Sequence, residues 1–243
     1  MTERLWQALL AVGCLWMLAP AGMAAPDLVP GTRIEYRETE PGVDPYRVRM
    51  LVAGGRLRID DGYAASDFVL YDAGQGKVYS VTHEERSILV IPDGEVPDAP
   101  GSLHIEVTHA EDPEAPRVDG RRPIRVQVRA GGTLCSETMV VADLLPKAAQ
   151  LLRGYYHVLA ARQARDLDRT PRAFRTPCFL ANYLHDTWKP LEYGFPLAER
   201  ILGGRTRLML DYRRVELPAR LFELPEGYVQ RVLGEGETAA PDQ

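Results

Sequence analysis

The chain has 243 residues, a formal net charge of −5 and 45% hydrophobic side chains. This mildly acidic balance excludes an electrostatic case for binding nucleic acid or an anionic membrane surface. The length and apolar content suit one domain with a substantial core.

The first 24 residues read as a secretory signal peptide. Arg4 supplies a positive charge, and the apolar run at 5–18 is too short to span a membrane. Small residues at Gly22 and Ala24 predict cleavage after Ala24. Residues 11–14 loosely resemble a lipobox that would lipidate Cys14, but the apolar run continues past that residue, and we interpret Cys14 as part of the signal. We therefore predict a periplasmic protein without a transmembrane span.

Removing the signal leaves two cysteines, Cys135 and Cys178. An even number in an oxidising compartment predicts one disulfide, and the alternative is two buried free thiols. Neither cysteine has a second cysteine or a histidine at ligand spacing, so we predict no metal site. We predict no cofactor either.

Period-two alternation over most of the mature chain predicts β-strands. Strands at 46–52 and 57–59 flank Gly54 and Gly55, which predicts a hairpin. The runs at 68–71, 78–81 and 88–91 are apolar on both faces, so we expect strands covered on both sides, by a second layer or by an occupied cavity. Further strands are predicted at 103–107, 124–128 and 134–141.

A helical part follows these strands. Asp143 is a plausible N-cap, Pro146 falls in the first turn, and apolar residues recur at helical spacing through Leu159. A second helix is predicted at 179–187, and closing strands at 208–212 and 221–224. We predict one domain over 25–233, a helical insertion near 143–187 and a disordered tail at 234–243. The fold class is α+β, a curved antiparallel sheet that forms an incomplete β-barrel with helices covering its open side.

Motifs of established enzyme classes are missing from the sequence. It has no G-x-S-x-G elbow, Walker loop, zincin helix or C-x-x-C pair. We interpret each of the five histidines as structural or solvated. The sequence therefore predicts a protein that is not an enzyme.

Three motifs stand above this background: Arg-x-Asp at 58–60, Tyr71-Asp72 followed by a short strand at 77–81, and Phe-x-Leu-Pro-x-Gly-Tyr at 222–228. Together they resemble an uncharacterised family of exported bacterial proteins, which is similar to the lipoprotein carriers and receptors of the LolA and LolB type. The resemblance covers 31–92 and 178–228. It implies an open barrel with an apolar cavity for acyl chains between sheet and helices, and it carries over no catalytic residues.

Ten residues are candidates for lining that cavity, and the competing interpretation is that all of them are ordinary core, since close-packed interiors are the rule. They are Leu57, Ile59, Phe68, Leu70, Val78, Ile88, Val90, Leu151, Leu152 and Tyr155. The first hypothesis is a non-enzymatic carrier of the cell envelope that binds a lipid or another apolar ligand. The alternative is an envelope protein–protein interaction module with a fully packed core.

Overall fold

The computed structural model describes residues 27–63 and 65–233. The predicted signal peptide, Cys14 and the predicted tail lie outside the described residues, and the prediction of a single domain stays a prediction. Within the described ranges the strands are β1 (Leu28–Thr39), β2 (Tyr46–Ala53), β3 (Arg56–Asp60), β4 (Phe68–Asp72), β5 (Lys77–Thr82), β6 (Ser87–Pro92), β7 (Ile105–Glu111), β8 (Ile124–Ala130), β9 (Thr133–Val141), β10 (Phe195–Ile201), β11 (Thr206–Pro218) and β12 (Val229–Val232). The α-helices are α1 (Pro146–Arg165) and α2 (Pro177–Leu180), and a π-helical turn at Ala181–His185 continues α2.

These strands form one open, mostly antiparallel sheet in the order β12-β6-β5-β4-β3-β2-β1-β11-β10-β9-β8-β7. The pairing of β12 with β6 is parallel. The predicted β2–β3 hairpin is confirmed: Ala53 pairs with Arg56, and both glycines between them have positive φ, as a tight two-residue turn requires.

Helix α1 packs against one face of the sheet, called here the inner face. Its residues Leu151 and Leu152 belong to an inner cluster with Leu57, Tyr71 and Val78 of the strands. Leu152 is fully buried, and so are Ala160 and Ala161 further along the helix. Helix α1 therefore covers the inner face of these strands.

The start of α1 differs from the prediction. Pro146 occupies the first turn as expected, but the N-cap is Leu145, and no side chain caps the helix there. Asp143, the predicted cap, has a φ of 55° and lies in the turn before the helix. This turn brings Leu144 into the inner cluster, where its side chain is 3% exposed. The start of α1 therefore buries Leu144, and the Asp143 side chain does not cap the helix.

Gly154 lies on α1 against the side chain of Tyr71 from β4. A Cβ at this position would overlap the hydroxyl oxygen of Tyr71 and lie 2.7 Å from its Cζ. We therefore expect Gly154→Ala to lower the free energy of unfolding by about 1–3 kcal/mol through overpacking, although alanine is normally better than glycine in a helix by about 1 kcal/mol. Urea denaturation would measure the change. Tyr71→Phe in the same background should restore part of the loss, and a stabilised Gly154→Ala protein would contradict the expectation.

The opposite, outer face of β2–β6 is covered by the C-terminal segment, residues 219–233. A 3₁₀ turn at Ala219–Phe222 opens this segment, so the predicted strand at 221–224 is wrong. A short, mostly apolar run such as 221–224 does not distinguish a helical turn from a strand, and the turn places Phe222, 4% exposed, in an outer cluster with Phe68, Leu70 and Ile88. The closing strand is instead β12, which pairs with the edge of β6.

A disulfide joins Cys135 of β9 to Cys178 of α2. Ala181 packs beside it with Val128 and Ala130 of β8. The bridge therefore fastens the short helix to the far part of the sheet, at a sequence separation of 43 residues.

Replacing both Cys135 and Cys178 with serine should lower the free energy of unfolding by about 3–4 kcal/mol, because a cross-link of this span restricts the unfolded chain. Guanidinium denaturation of the variant and the oxidised protein would measure the difference. Alkylation without reductant should leave the intact mass of the wild-type protein unchanged. Two alkyl groups on the unreduced, unfolded wild-type chain would contradict the bridge.

Candidate functional site

The ten candidate cavity residues fall into two sets on opposite faces of the sheet. Leu57, Ile59, Val78, Leu151, Leu152 and Tyr155 lie in or against the inner cluster. Phe68, Leu70, Ile88 and Val90 lie in the outer cluster. Because the sheet separates the two sets, one cavity lined by all ten does not form. A ligand between α1 and the sheet would involve only the inner set.

The inner set is closely packed. Leu57, Val78 and Leu152 are at most 1% exposed, and Leu151 is 7% exposed. Tyr155 of α1 stacks near Tyr156 with ring centroids 5.5 Å apart, and burial raises its pKa to about 12. In this conformation the inner set serves as the interface between α1 and the strands, and an acyl chain would have to displace the helix.

The outer set lies beneath the C-terminal segment, and the motifs that carried the family resemblance hold that segment in place. The guanidinium of Arg58 lies 3.7 Å from the centroid of the Phe68 ring and donates to the Leu221 carbonyl at 3.0 Å. At the other end of the segment, the hydroxyl of Tyr228 lies 2.8 Å from Nδ1 of His83. The Arg-x-Asp and Phe-x-Leu-Pro-x-Gly-Tyr motifs therefore have structural roles in holding the C-terminal segment against the sheet.

Asp60 orients the arginines beneath this segment. Its carboxylate accepts hydrogen bonds from Arg49 at 2.7 and 2.9 Å and from Arg58 at 2.6 Å. Burial raises the pKa of Asp60, but these bonds outweigh burial and hold it below its ordinary value. Asp60 therefore stays ionised and paired near neutral pH, which suits a structural ion pair and does not suit a general acid.

A second buried ionic group, which the sequence reasoning missed, lies on the inner face. Oε1 of Glu38 on β1 accepts from Nε of Arg207 on β11 at 2.7 Å, and the two side chains are 5% and 8% exposed. Arg207 also donates to the Tyr156 hydroxyl of α1 at 3.2 Å, and its guanidinium lies 5.1 Å from the Tyr36 ring centroid. Burial raises the pKa of the Tyr36 hydroxyl well above its ordinary value. The group therefore joins β1, β11 and α1 around a neutralised ion pair.

The outer face of β9–β11 carries a depression. Ala198 pairs with Leu208 on one side and Met139 on the other, so the three side chains form a row across three strands. Because alanine is smaller than leucine or methionine, the surface is depressed over Ala198. This depression is an open pocket of about 340 Å³, called here the outer groove. Arg37 continues the row on β1, opposite Leu208.

Two absences hold for the described ranges 27–63 and 65–233. No group of three or more His, Cys, Asp or Glu side chains there is placed to hold a metal ion. No helix in these ranges is long and apolar enough to cross a membrane.

Comparisons with known proteins give only distant structural likenesses. No family model matches the chain, and no curated protein sequence matches it. Crystal structures of PNGF-II in space groups C2 and P21 are similar with TM-scores of 0.42 and 0.41 at 8% and 7% identity; both cover 84% of this chain, and 31% and 32% of PNGF-II. A LolA superfamily protein, NE2245 from Nitrosomonas europaea, has a TM-score of 0.27 at 9% identity, over 82% of this chain and 91% of that one. The chain thus spans about a third of PNGF-II and has a weak structural likeness to a LolA superfamily protein.

Proposed function

We propose that the protein is an exported, non-enzymatic component of the cell envelope that acts by binding another protein at its surface. The observation that carries this proposal is the division of the ten candidate residues into two packed sets, one beneath α1 and one beneath the C-terminal segment. The disulfide and the signal pattern at 1–24 support a site of action outside the cytoplasm. A carrier of the LolA type would instead need space between α1 and the sheet.

Native mass spectrometry followed by organic extraction separates these functions. We expect the protein, purified from the periplasm of an expression host, to have the mass of the chain alone. An acyl-chain species at near-stoichiometric occupancy would overturn the proposal in favour of a carrier. Leu152→Trp, which fills the space beneath α1, should then reduce that occupancy, whereas Val229→Trp on the exposed edge should not.

A photocrosslinking scan tests the positive part of the proposal. The photoreactive amino acid benzoylphenylalanine would be placed singly at exposed positions distributed over the surface, in cells that make the protein natively. Suitable positions are Leu28, Tyr63, Phe174, Leu208 and Val229. We expect a protein adduct of one discrete mass from some positions and none from others. No adduct from any position would overturn the proposal.

A further inference from the structure

The outer groove is centred on three apolar side chains of neighbouring strands. Leu208, Ala198 and Met139 are direct cross-strand neighbours, and such neighbours have Cβ atoms about 4.5–5.5 Å apart. Leu208 is 43% exposed, although it is a large apolar residue near the start of β11. The depression over Ala198 therefore has an apolar floor with a larger side chain on each side.

Three arginines at or beside this groove, Arg37, Arg47 and Arg200, lack full counter-charges, whereas Arg207, which also lines it, is paired with Glu38. Arg37 and Arg47 are directly opposite on β1 and β2, and like charges in this position are destabilising. Arg47 is 75% exposed and lies 3.8 Å from Glu35, whereas Arg37 forms no ion pair with any described residue. On the far side, Arg200 is 58% exposed and reaches only Glu137, at 3.9 Å. The groove is therefore an apolar depression between guanidinium groups that can still donate hydrogen bonds to carboxylates, and Glu137 and Glu199 also line it.

We propose that the outer groove binds an extended segment of a partner protein that carries an apolar side chain flanked by Asp or Glu. The apolar side chain would fill the depression over Ala198. The neighbouring carboxylates would bind Arg37 and Arg200 and relieve the repulsion between Arg37 and Arg47. This inference rests on the proposed function and names the partner chemistry and the surface. An anionic membrane is the less favoured occupant, because the whole chain is acidic and a small depression selects a single side chain.

Selection from a phage-displayed library of random 12-residue peptides tests this inference. The full mature protein would be the target, with counter-selection against Ala198→Trp, which fills the depression. We expect enriched peptides to combine Leu, Ile, Val or Met with neighbouring Asp or Glu. No enrichment over the counter-selected variant, or peptides without acidic residues, would overturn the groove.

Charge-reversed variants of the protein test whether Arg37 contributes to binding. Their affinity would be measured for the best selected peptide, labelled with a fluorophore. We expect Arg37→Glu to weaken its binding by about tenfold or more in fluorescence anisotropy. Arg231→Glu is the matched control, because Arg231 is exposed on β12 at the other end of the sheet, and it should leave binding unchanged. Equal loss in both variants would show non-specific attraction and overturn the site.

Sedimentation with phosphatidylglycerol vesicles tests the less favoured occupant, an anionic membrane. Vesicle binding that Arg37→Glu abolishes would assign the surface to a membrane and overturn the peptide proposal. Failure of the peptide selection overturns only the groove, whereas the photocrosslinking scan can still support a protein partner at another surface. The two failures are therefore distinguishable.

Discussion

Arg207→Met is expected to lower the free energy of unfolding by about 3–5 kcal/mol. The substitution keeps much of the side-chain volume but leaves the carboxylate of Glu38, 5% exposed, without its closest cation. Arg205 lies 3.8 Å from the other carboxylate oxygen and cannot replace two short hydrogen bonds. The hydrogen bond from Arg207 to Tyr156 of α1 is lost as well. Urea denaturation followed by circular dichroism would measure the difference.

The matched control is the double variant Arg207→Met with Glu38→Leu. Replacing both partners of a buried ion pair with apolar residues is often nearly neutral, because no uncompensated charge stays buried. We therefore expect the double variant to be more stable than Arg207→Met alone by at least 2 kcal/mol, on the order of the cost of one buried charge. A double variant that is less stable than the single one would show that Glu38 does not depend on Arg207.

Phe222→Ala should produce a loss of similar size, about 3–5 kcal/mol, typical of truncating a buried aromatic residue. Phe222 is the side chain that anchors the C-terminal segment in the outer cluster. Its removal leaves Phe68 and Leu70 facing an unfilled space and weakens the closure of β12 on β6. We expect the variant to bind the dye 1-anilinonaphthalene-8-sulfonate more strongly than the wild type, because apolar surface becomes accessible.

Val229→Ala is the matched control for Phe222→Ala. Val229 lies on the same segment but is 58% exposed, and a surface truncation of this kind changes stability by about 0.5 kcal/mol or less. If the two variants have the same dependence of unfolding free energy on denaturant concentration, their denaturation midpoints give the difference in stability directly. If both variants lie within about 1 kcal/mol of wild type, the C-terminal segment does not contribute to the core as described.

Much of the part of the sheet formed by β2–β6 could be predicted from local sequence patterns. The glycine pair at 54–55 fixes the β2–β3 turn, and strands apolar on both sides, such as β4, have a layer on each face. The sequence did not predict strand β10, because Pro196 interrupts it and the apolar pair 197–198 followed by the charged pair 199–200 does not alternate. A register shift near Pro196 accommodates that proline in the ladder.

The candidate site was harder to predict, because alternation assigns faces within one strand but not between strands. Leu57 and Leu70 are both apolar, yet the β3–β4 register pairs Leu57 with Tyr71 and puts Leu70 on the other face. Alternation in β1 does place Glu38 on the apolar face with Ile34 and Tyr36, a signal that could have revealed the buried ion pair. Its partner Arg207 could not be predicted in the same way. The β1–β11 register shifts between Glu35 and Tyr36, and this shift reverses which residues of β11 lie on the inner face.

The position of β1 has a consequence for how the chain folds. This first described strand pairs with β2 on one edge and with β11 on the other, from Leu28 opposite Pro218 to Thr39 opposite Thr206. The backbone groups on one edge of β1 therefore stay unpaired until residues 206–218, near the end of the described chain, pair with them. Contacts so distant in sequence slow folding and leave an open edge in intermediates. We expect the two halves of the sheet to join in a late, rate-limiting step that begins only when residues 206–218 arrive.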